Sequence, residues 1–116
     1  MSDNIDKLPN PSELCIEEIK IRQYLLNIDH PQGGPKANFF LRRGFSLDDW
    51  LRFKAALAVQ GSTNTVVRIV DHQYGRRFTV ECTCETPDEV NPCIRSVWQI
   101  DCGDTIPRLI IAHPIS

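Results

Sequence analysis

Apolar and polar positions repeat with two different periods along the chain, and the change occurs near Thr65. Before this point apolar residues recur at helical spacing, whereas after it they recur at every second position, as they do in strands. The pattern predicts three helices, at about residues 17–27, 35–44 and 46–61. It also predicts four strands, at roughly residues 65–72, 77–85, 93–101 and 107–113. Helices followed by strands indicate an α+β fold, in which N-terminal helices pack on one face of a four-stranded antiparallel β-meander.

Residue types at the ends of the predicted helices support these limits. Pro35 suits the first turn of the second helix, and Gly44 suits its end. Ser46 is a favourable N-cap for the third helix, which supplies most of the apolar helical surface, and Gly61 is expected to end it.

The third predicted strand, at residues 93–101, has the clearest alternation and is therefore placed in the centre of the fold. Its inward side chains are predicted to be Ile94, Trp98 and Ile100. Arg95 and Gln99 then point to the opposite face, where a substrate could reach them. The same alternation turns Ser96 towards the core, so that packing is its expected role.

Pairing apolar residues across neighbouring strands gives a predicted register for the first three strands. Between the first two strands, Val67 is placed opposite Cys82 and Ile69 opposite Val80. Between the second and third strands, Ile94 is placed opposite Cys84 and Trp98 opposite Val80. Arg95 then faces Thr83, with Glu81 on the diagonal. The resulting polar face carries Arg68, His72, Arg77, Thr79, Glu81, Thr83, Arg95 and Gln99. Such a face is either a binding surface or an ordinary solvated side of an antiparallel sheet. The apolar run in the fourth strand leaves the face of His113 undetermined.

Length and composition indicate one globular domain, placed at residues 13–116 after a flexible segment at residues 1–12. The chain shows neither a secretory signal nor a membrane anchor, so a cytoplasmic location is expected. A net charge of −2 argues against a protein that binds nucleic acid through bulk electrostatics. Residues 21–77 nevertheless hold nine basic and four acidic side chains, which leaves a local site for an anionic ligand open beside an ordinary mixed surface.

The five cysteines do not have the spacing of a standard metal-binding motif. In the predicted hairpin, Cys102 lies about 20 Å from Cys84 at roughly 3.3 Å per residue, which is too far for a shared metal ion. Without a secretion signal, the cysteines are expected to be reduced and to act as small apolar side chains. No metal site is predicted.

The loop between the first two helices contains two prolines, two glycines and two groups that could take part in chemistry. His30 can exchange protons near neutral pH, and Lys36 stands near a helix start, where backbone amides favour an anion. Gly33 and Gly34 would let a ligand approach the backbone. The motif is not a nucleotide-binding loop of the Walker type, and a turn that only joins two helices explains the glycines as well.

A succession of short motifs extends along the chain from about Pro9. These motifs are Leu-Leu-Asn at 25–27, Asp-His-Pro at 29–31, Gly-Gly-Pro-Lys-Ala at 33–37, Phe-Phe at 39–40, Gly-Phe at 44–45, Tyr-Gly at 74–75, Arg-Ser-Val-Trp at 95–98 and Pro-Arg-Leu at 107–109. Together they resemble a family of small uncharacterised bacterial proteins that is also similar to the C-terminal domains of some larger toxins. The order of helices and strands is similar to that of metal-independent ribonuclease toxins of the barnase, colicin D and RelE type. In relatives the closing strand commonly reads Leu-Ile-Thr-Ala-Tyr-Pro, where this chain has Ile111 and His113 in place of threonine and tyrosine.

The resemblance implies cleavage of RNA, with the 2′-hydroxyl as internal nucleophile and without a metal or other cofactor. His30 or Glu81 would serve as base or acid, and Lys36 and Arg95 would stabilise phosphate. Substrate contacts are expected from Arg68, His72, Arg77, Gln99 and His113. The implied partners are RNA and a cognate antitoxin or immunity protein. If the threonine hydroxyl serves the reaction in relatives, Ile111 would leave a non-catalytic binding or assembly protein that uses the same charged face for a protein partner.

Overall fold

A computed structural model describes residues 6–115 of the chain. A 3-10 turn at Pro11–Glu13 precedes α1 at Glu18–Lys20, which continues as a π-helical segment at Ile21–Leu25. Two longer helices follow, α2 at Gly34–Arg42 and α3 at Trp50–Thr63. The strands are β1 at Thr65–His72, β2 at Gly75–Thr83, β3 at Cys93–Asp101 and β4 at Arg108–Pro114.

The four strands form one antiparallel sheet in the order β1-β2-β3-β4, and the helices pack on one of its faces. Phe40 of α2 and Phe53 of α3 share the core with Val80, Ile94 and Trp98 of the sheet, and all five side chains are fully buried. Burying these side chains is the main driving force for docking the helices. The predicted α+β fold, with helices on one face of an antiparallel meander, is confirmed.

The predicted register is wrong by two residues between β2 and β3, and also along most of β1. Trp98 lies opposite Phe78 rather than Val80, and Ile69 likewise lies opposite Phe78. A shift of two leaves every side chain on its predicted face, so the apolar pattern cannot detect it. The turn decides the register instead: His72 pairs with Gly75, which leaves only two residues in the hairpin loop where four were predicted.

A bulge at the start of β1 changes which valine faces the core. The pairing shifts between Val66 and Arg68, and Val66 is buried whereas Val67 is 53% exposed. An extra residue in one strand reverses the alternation on one side of the bulge. The prediction that Val67 packs inward opposite Cys82 is therefore wrong.

Gly61 lies inside α3 and does not end it, because the helix continues to Thr63. A Cβ atom at Gly61 would lie 2.5 Å from Cζ2 of Trp98, so the glycine lets the helix approach the indole ring closely. The residue that was predicted to stop the helix is thus a packing residue. This contact fixes α3 against the centre of β3.

Ser96 belongs to a hydrogen-bonded polar group within the core, as the alternation of β3 predicts. The Trp98 Nε1–H group donates to the Ser96 hydroxyl at 2.8 Å, and this hydroxyl donates to Gln60 Oε1 at 2.6 Å. Gln60 Nε2 reaches the carbonyls of Cys82 and Ile94, each at 3.3 Å. Since each of these buried polar groups has a partner, they cost little and fix α3 against β3.

The predicted N-terminal segment at residues 1–12 is only partly within the described chain, since residues 1–5 lie outside it. Leu8 is buried in the core, and the amide of Val66 donates to the Asp6 carbonyl at 2.9 Å. Further along, Cys15 forms a short parallel bridge with Arg108 beside β4. From Asp6 onwards this segment therefore packs as part of the fold, and a domain start at residue 13 stays a prediction.

Two of the cysteines are not reduced, in contrast to the prediction. Cys82 and Cys93 form a disulfide with their Cα atoms 4.0 Å apart. The predicted register placed Ile94 opposite Cys84, which separated Cys82 from Cys93, whereas Ile94 in fact pairs with Cys82. Cys84 is a buried free thiol, as predicted, and burial raises its pKa to about 12.

Candidate functional site

The face of the sheet opposite the helices carries most of the polar side chains that the sequence pointed to. Its members alternate with the core residues along each strand, and apart from the buried Gln99 they are exposed or half-buried. Because strand pairing places residues of neighbouring strands side by side, the face can be described as rows that run across β2, β3 and β4. Two of these rows are polar, and a third, largely apolar row lies between them.

The first row consists of Glu81, Arg95 and His113, and is called here the Glu-Arg-His row. Glu81 of β2 pairs directly with Arg95 of β3, which pairs in turn with His113 of β4. Residues directly opposite one another in antiparallel strands project from the same face. A carboxylate and an imidazole therefore flank a guanidinium, with about 10 Å between the outer Cα atoms at roughly 4.8 Å per strand spacing.

Arg95 and Glu81 form a close ion pair within this row. Arg95 Nε donates to Glu81 Oε2 at 2.7 Å, and the two side chains are 40% and 28% exposed. Because the pair is partly buried, solvent and dissolved ions screen it less than they would screen a fully exposed pair. Nε accounts for one of the five N–H donors of Arg95, so the guanidinium keeps donors for an anionic ligand.

The contact of His113 with the backbone indicates which of its ring nitrogens carries a proton. Its Nδ1 lies 2.9 Å from the carbonyl oxygen of Pro114, which can only accept a hydrogen bond. The contact is therefore a hydrogen bond when Nδ1 is protonated, and the neutral ring then has Nε2 as its acceptor. In this tautomer Nε2 is the atom that takes up or releases a proton.

The row between the two polar rows is largely apolar. It contains Thr79, Val97 and Ile111, which pair across β2, β3 and β4. Ile111 is half-buried and lies on the same face as His113 two residues away. It offers an apolar surface but no hydroxyl beside the Glu-Arg-His row.

The second polar row consists of Arg77, Gln99 and Arg108, and is called here the arginine row. Arg77 Nη2 donates to Gln99 Oε1 at 2.7 Å. Gln99 Nε2 donates to Asp101 Oδ1 at 2.6 Å, and Arg108 Nη2 lies 3.3 Å from each Asp101 oxygen. The hydrogen bond from Gln99 and the charge of Arg108 lower the pKa of Asp101.

The remaining predicted substrate residues, Arg68 and His72, lie on the same face of β1. Arg68 pairs with Thr79 and is exposed, whereas His72 lies at the hairpin end opposite Gly75. His72 Nδ1 accepts the Tyr74 N–H at 3.3 Å, and its buried Nε2 has no partner within residues 6–115. His72 therefore has a local role in the turn.

His30 and Lys36 belong to the helical layer. His30 Nδ1 accepts the backbone N–H groups of Gln32 at 3.1 Å and of Gly33 at 2.9 Å, and its ring packs edge-on against Tyr24 with centroids 4.7 Å apart. These contacts give His30 a structural part in shaping the loop before α2. Lys36 lies in the first turn of α2 and is half-buried. No hydrogen bond or ion pair within residues 6–115 joins either residue to the Glu-Arg-His row, and their catalytic role stays a prediction.

Arg108 and Asp101 are the members of this face that sequence reasoning missed. Arg108 was placed in the fourth strand without a register, and Asp101 at the very end of the third. Arg108 becomes recognisable only through the second bulge, at Val97 and Trp98, which sets it opposite Gln99, whereas the alternation of β3 itself places Asp101 on the face of Gln99. The alternation of the strands carries no signal for this pairing.

One cavity of the surface lies away from these rows. A cavity of about 610 Å³ lies between α3 and the β2–β3 loop, lined among others by Phe45, Ala56, Val59 and Thr86. Within residues 6–115, no three His, Cys, Asp or Glu side chains gather in a group that could hold a metal ion. Nor does any helix of this part of the chain have the length and apolar character to cross a membrane.

Comparison with known proteins gives a family and a shared fold. The model of one family, DUF6883, described as a domain of unknown function, matches residues 7–116. No significant match was found among curated proteins. Among solved structures, a chain of a contact-dependent growth inhibition toxin–immunity protein complex from Klebsiella pneumoniae 342 aligns with a TM-score of 0.67 at 18% identity. The alignment covers 91% of this chain and 97% of that chain, so the two share their fold over nearly their whole length.

Proposed function

The chain belongs to the DUF6883 family, a domain of unknown function, and from the geometry of its sheet we propose that it cleaves RNA without a metal ion. The observation that carries this proposal is the Glu-Arg-His row, in which pairing across three strands sets Glu81, Arg95 and His113 side by side. The row combines a proton acceptor, a phosphate ligand and a group that can donate a proton.

The proposed reaction is an internal transfer of the phosphodiester. Glu81 takes the proton from the 2′-hydroxyl, and the 2′-oxygen forms a bond to phosphorus. The bond from phosphorus to the 5′-oxygen breaks, and the protonated His113 supplies the proton that this leaving oxygen needs. Arg95 stabilises the negative charge that develops on the phosphoryl oxygens. The products are a 2′,3′-cyclic phosphate and a free 5′-hydroxyl.

The spacing of the row supports this assignment of roles. The base and the acid must lie on opposite sides of the phosphate, because the attacking 2′-oxygen and the leaving 5′-oxygen lie roughly in line with the phosphorus. Glu81 and His113 are separated by two strand spacings, about 10 Å between Cα atoms, which leaves room for a phosphate over the central Arg95. The Arg95–Glu81 hydrogen bond holds both side chains close to these positions.

Positive charge around the row would add to RNA binding. Arg68 and Arg77 are exposed on the same face, and within residues 6–115 neither forms an ion pair with a carboxylate. His30 and Lys36 are assigned no step in this reaction, because they lie in the helical layer and His30 already accepts two backbone hydrogen bonds. Arg68 and Arg77 make this face locally basic, although the net charge of the whole chain is −2.

A toxin-like role, with an immunity protein or antitoxin as partner, is supported by the fold shared with a chain of the Klebsiella pneumoniae complex. An enzyme that degrades cellular RNA would harm the cell that makes it, so a neutralising partner is expected. Such a partner would block the reaction most directly by covering the Glu-Arg-His row with acidic side chains that compete for Arg95.

Purified protein incubated with single-stranded RNA tests the proposal. The wild-type protein should release fragments that end in 2′,3′-cyclic phosphate, and the same oligonucleotide with 2′-deoxy sugars should remain intact. Glu81→Gln and His113→Asn should each reduce the rate by about 100-fold or more, as expected for general acid–base groups. Glu85→Gln, which changes an exposed carboxylate beyond the end of β2, is the matched control and should keep the wild-type rate. Full activity of both Glu81→Gln and His113→Asn would refute the assignment.

A non-catalytic binding protein is the second candidate, and Ile111 is the observation that favours it. Ile111 pairs with Val97 and brings no hydroxyl to the face, and this apolar strip would suit contact with a protein partner. Expression in growing cells separates the two functions. Growth arrest that Arg95→Gln abolishes supports the enzyme, whereas harmless expression with protection against a co-expressed toxin would support an immunity-like role.

A further inference from the structure

We infer that the arginine row is a second phosphate-binding site, which holds the same RNA strand at a distance from the Glu-Arg-His row. The inference rests on the proposed function for the identity of its ligand. Its own support is a network in which Gln99 and Asp101 position two arginines, Arg77 and Arg108, on the open face of the sheet.

Gln99 is the centre of this network and is only 6% exposed, although it lies on the open face. Its Oε1 accepts from Arg77, and its Nε2 donates to Asp101, so both ends of the amide have a partner and its orientation is fixed. Positioning by a buried side chain reduces the entropy that Arg77 loses when it binds an anion. Gln99 is thus a positioning residue.

Arg108 is held from the other side. Its Nη2 lies 3.3 Å from both oxygens of Asp101, whose remaining partner is Gln99. Two guanidinium groups and one carboxylate leave a net charge of +1 in the row. The contacts described use one nitrogen of each arginine, and the other N–H groups keep the geometry for bidentate contact with phosphate oxygens.

The distance between the two polar rows sets the length of RNA that could bridge them. Arg77 precedes Glu81 by four residues on β2, which is about 13 Å at roughly 3.3 Å per residue. A stacked nucleic-acid strand rises about 3.4 Å per nucleotide and an unstacked strand is longer, so the span corresponds to between two and about four nucleotides. Thr79, Val97 and Ile111 lie between the rows and offer a largely apolar surface for the intervening nucleosides.

Binding of uncleavable oligonucleotides tests the inference independently of catalysis. The probes are a dinucleotide and a hexanucleotide with 2′-O-methyl sugars, which lack the attacking hydroxyl, measured by fluorescence anisotropy at several salt concentrations. Wild-type protein should bind the hexanucleotide at least 10-fold more tightly than the dinucleotide. The double variant Arg77→Gln/Arg108→Gln should reduce this ratio to about twofold, chiefly by weakening the binding of the hexanucleotide. Its log–log salt slope for the hexanucleotide should fall by about 1.4, which corresponds to two phosphate contacts on a single strand.

Arg76→Gln is the matched control, because Arg76 neighbours Arg77 in sequence but projects from the other face and pairs with Asp71. It should leave the length dependence unchanged. Gln99→Met should lose part of the preference for the hexanucleotide, since it keeps both arginines but removes their support. Arg77→Gln alone alters an exposed side chain and provides the test if the double variant does not fold.

The outcomes separate this inference from the proposed function. A preference for the hexanucleotide that survives in the arginine variants overturns the inference, whether or not the protein cleaves RNA, and so does a wild-type protein that binds both lengths equally or not at all. If wild-type protein cleaves no RNA but binds the hexanucleotide through Arg77, the phosphate site stands and the proposed function fails.

Discussion

Replacing Ser96 by alanine tests whether this serine acts in the core or in the reaction. Ser96 lies between Arg95 and Val97, two residues of the open face, a setting in which a serine could be read as catalytic. In the structure its hydroxyl is fully buried, accepts from Trp98 Nε1 at 2.8 Å and donates to Gln60 Oε1 at 2.6 Å. Ser96→Ala therefore removes one atom and leaves two buried polar groups without that partner.

The expected cost follows from those two groups. Leaving a buried donor or acceptor unsatisfied costs about 1–3 kcal/mol. The variant leaves the indole N–H of Trp98 and the amide oxygen of Gln60 without this partner, but alanine avoids the cost of burying a hydroxyl. The net loss in the free energy of unfolding is therefore roughly 2–4 kcal/mol. For a chain of this length, each kcal/mol lowers Tm by about 4 °C, which gives a decrease of roughly 8–16 °C. Gln60 keeps its two bonds to backbone carbonyls, so the fold should persist.

Urea unfolding followed by tryptophan fluorescence measures this effect directly, because Trp98 is itself part of the network. Ser62→Ala is the control, since the Ser62 hydroxyl contacts only the Val59 carbonyl in an exposed setting, and it should change stability by less than about 0.5 kcal/mol. A Ser96→Ala protein that unfolds at the wild-type urea concentration but no longer cleaves RNA would refute the structural role and make Ser96 a catalytic residue.

Three further changes probe other parts of the fold. Gly61→Ala should destabilise the protein by about 1–3 kcal/mol in urea, although alanine favours helices, because the new Cβ would overlap the ring of Trp98; unchanged stability would contradict the close contact. Alkylation at pH 8 should label the exposed Cys102 in the native protein but should label Cys84, whose pKa is about 12, only after unfolding, as read by mass spectrometry. Because the pKa of Asp101 is lowered, its ionised form stabilises the fold above the ordinary aspartate range, and this contribution is lost as the pH falls through the lowered pKa. The stability advantage of wild type over Asp101→Asn should therefore shrink between pH 7 and pH 3, and an advantage that grows in acid would contradict the pairing.

The sequence predicts the fold and the faces of the strands because both depend on periodicity. Ile94, Trp98 and Ser96 all occupy their predicted side of β3, and Arg95 occupies the other. Periodicity does not determine where one strand begins relative to the next, since a shift of two residues preserves every face. The disulfide between Cys82 and Cys93 was missed partly for this reason, and partly because the lack of a secretion signal predicted reduced cysteines.

The roles of Gly61 and Gln60 in α3 could not be predicted for a different reason. Gly61 has the residue type that ends helices, and only the position of Trp98 shows that it serves close packing instead. Gln60 is polar and follows an exposed valine, so nothing in the helical pattern predicts that it is fully buried. Both depend on a partner strand that is about 35 residues away in sequence.

At the candidate site, the strand register determines which polar residues of adjacent strands lie side by side. With the predicted register, Arg95 faced Thr83 and the face of His113 was undetermined, so His30 or Glu81 was expected to be the base or acid and His113 only a substrate contact. Moving β2 by two residues sets Glu81 directly opposite Arg95, and the pairing of β3 with β4 adds His113 to the same row. Each of the three residue types is common on sheet surfaces, and only their alignment across adjacent strands supports the proposed roles of base, phosphate ligand and acid. A double variant that exchanges Glu81 and Arg95 tests this point, because it keeps the composition, the ion pair and the charge of the row but places the carboxylate between the arginine and His113. If position matters, the exchanged protein should fold with near-wild-type stability and lose RNA cleavage; wild-type cleavage by that protein would show that the alignment is not the source of the activity.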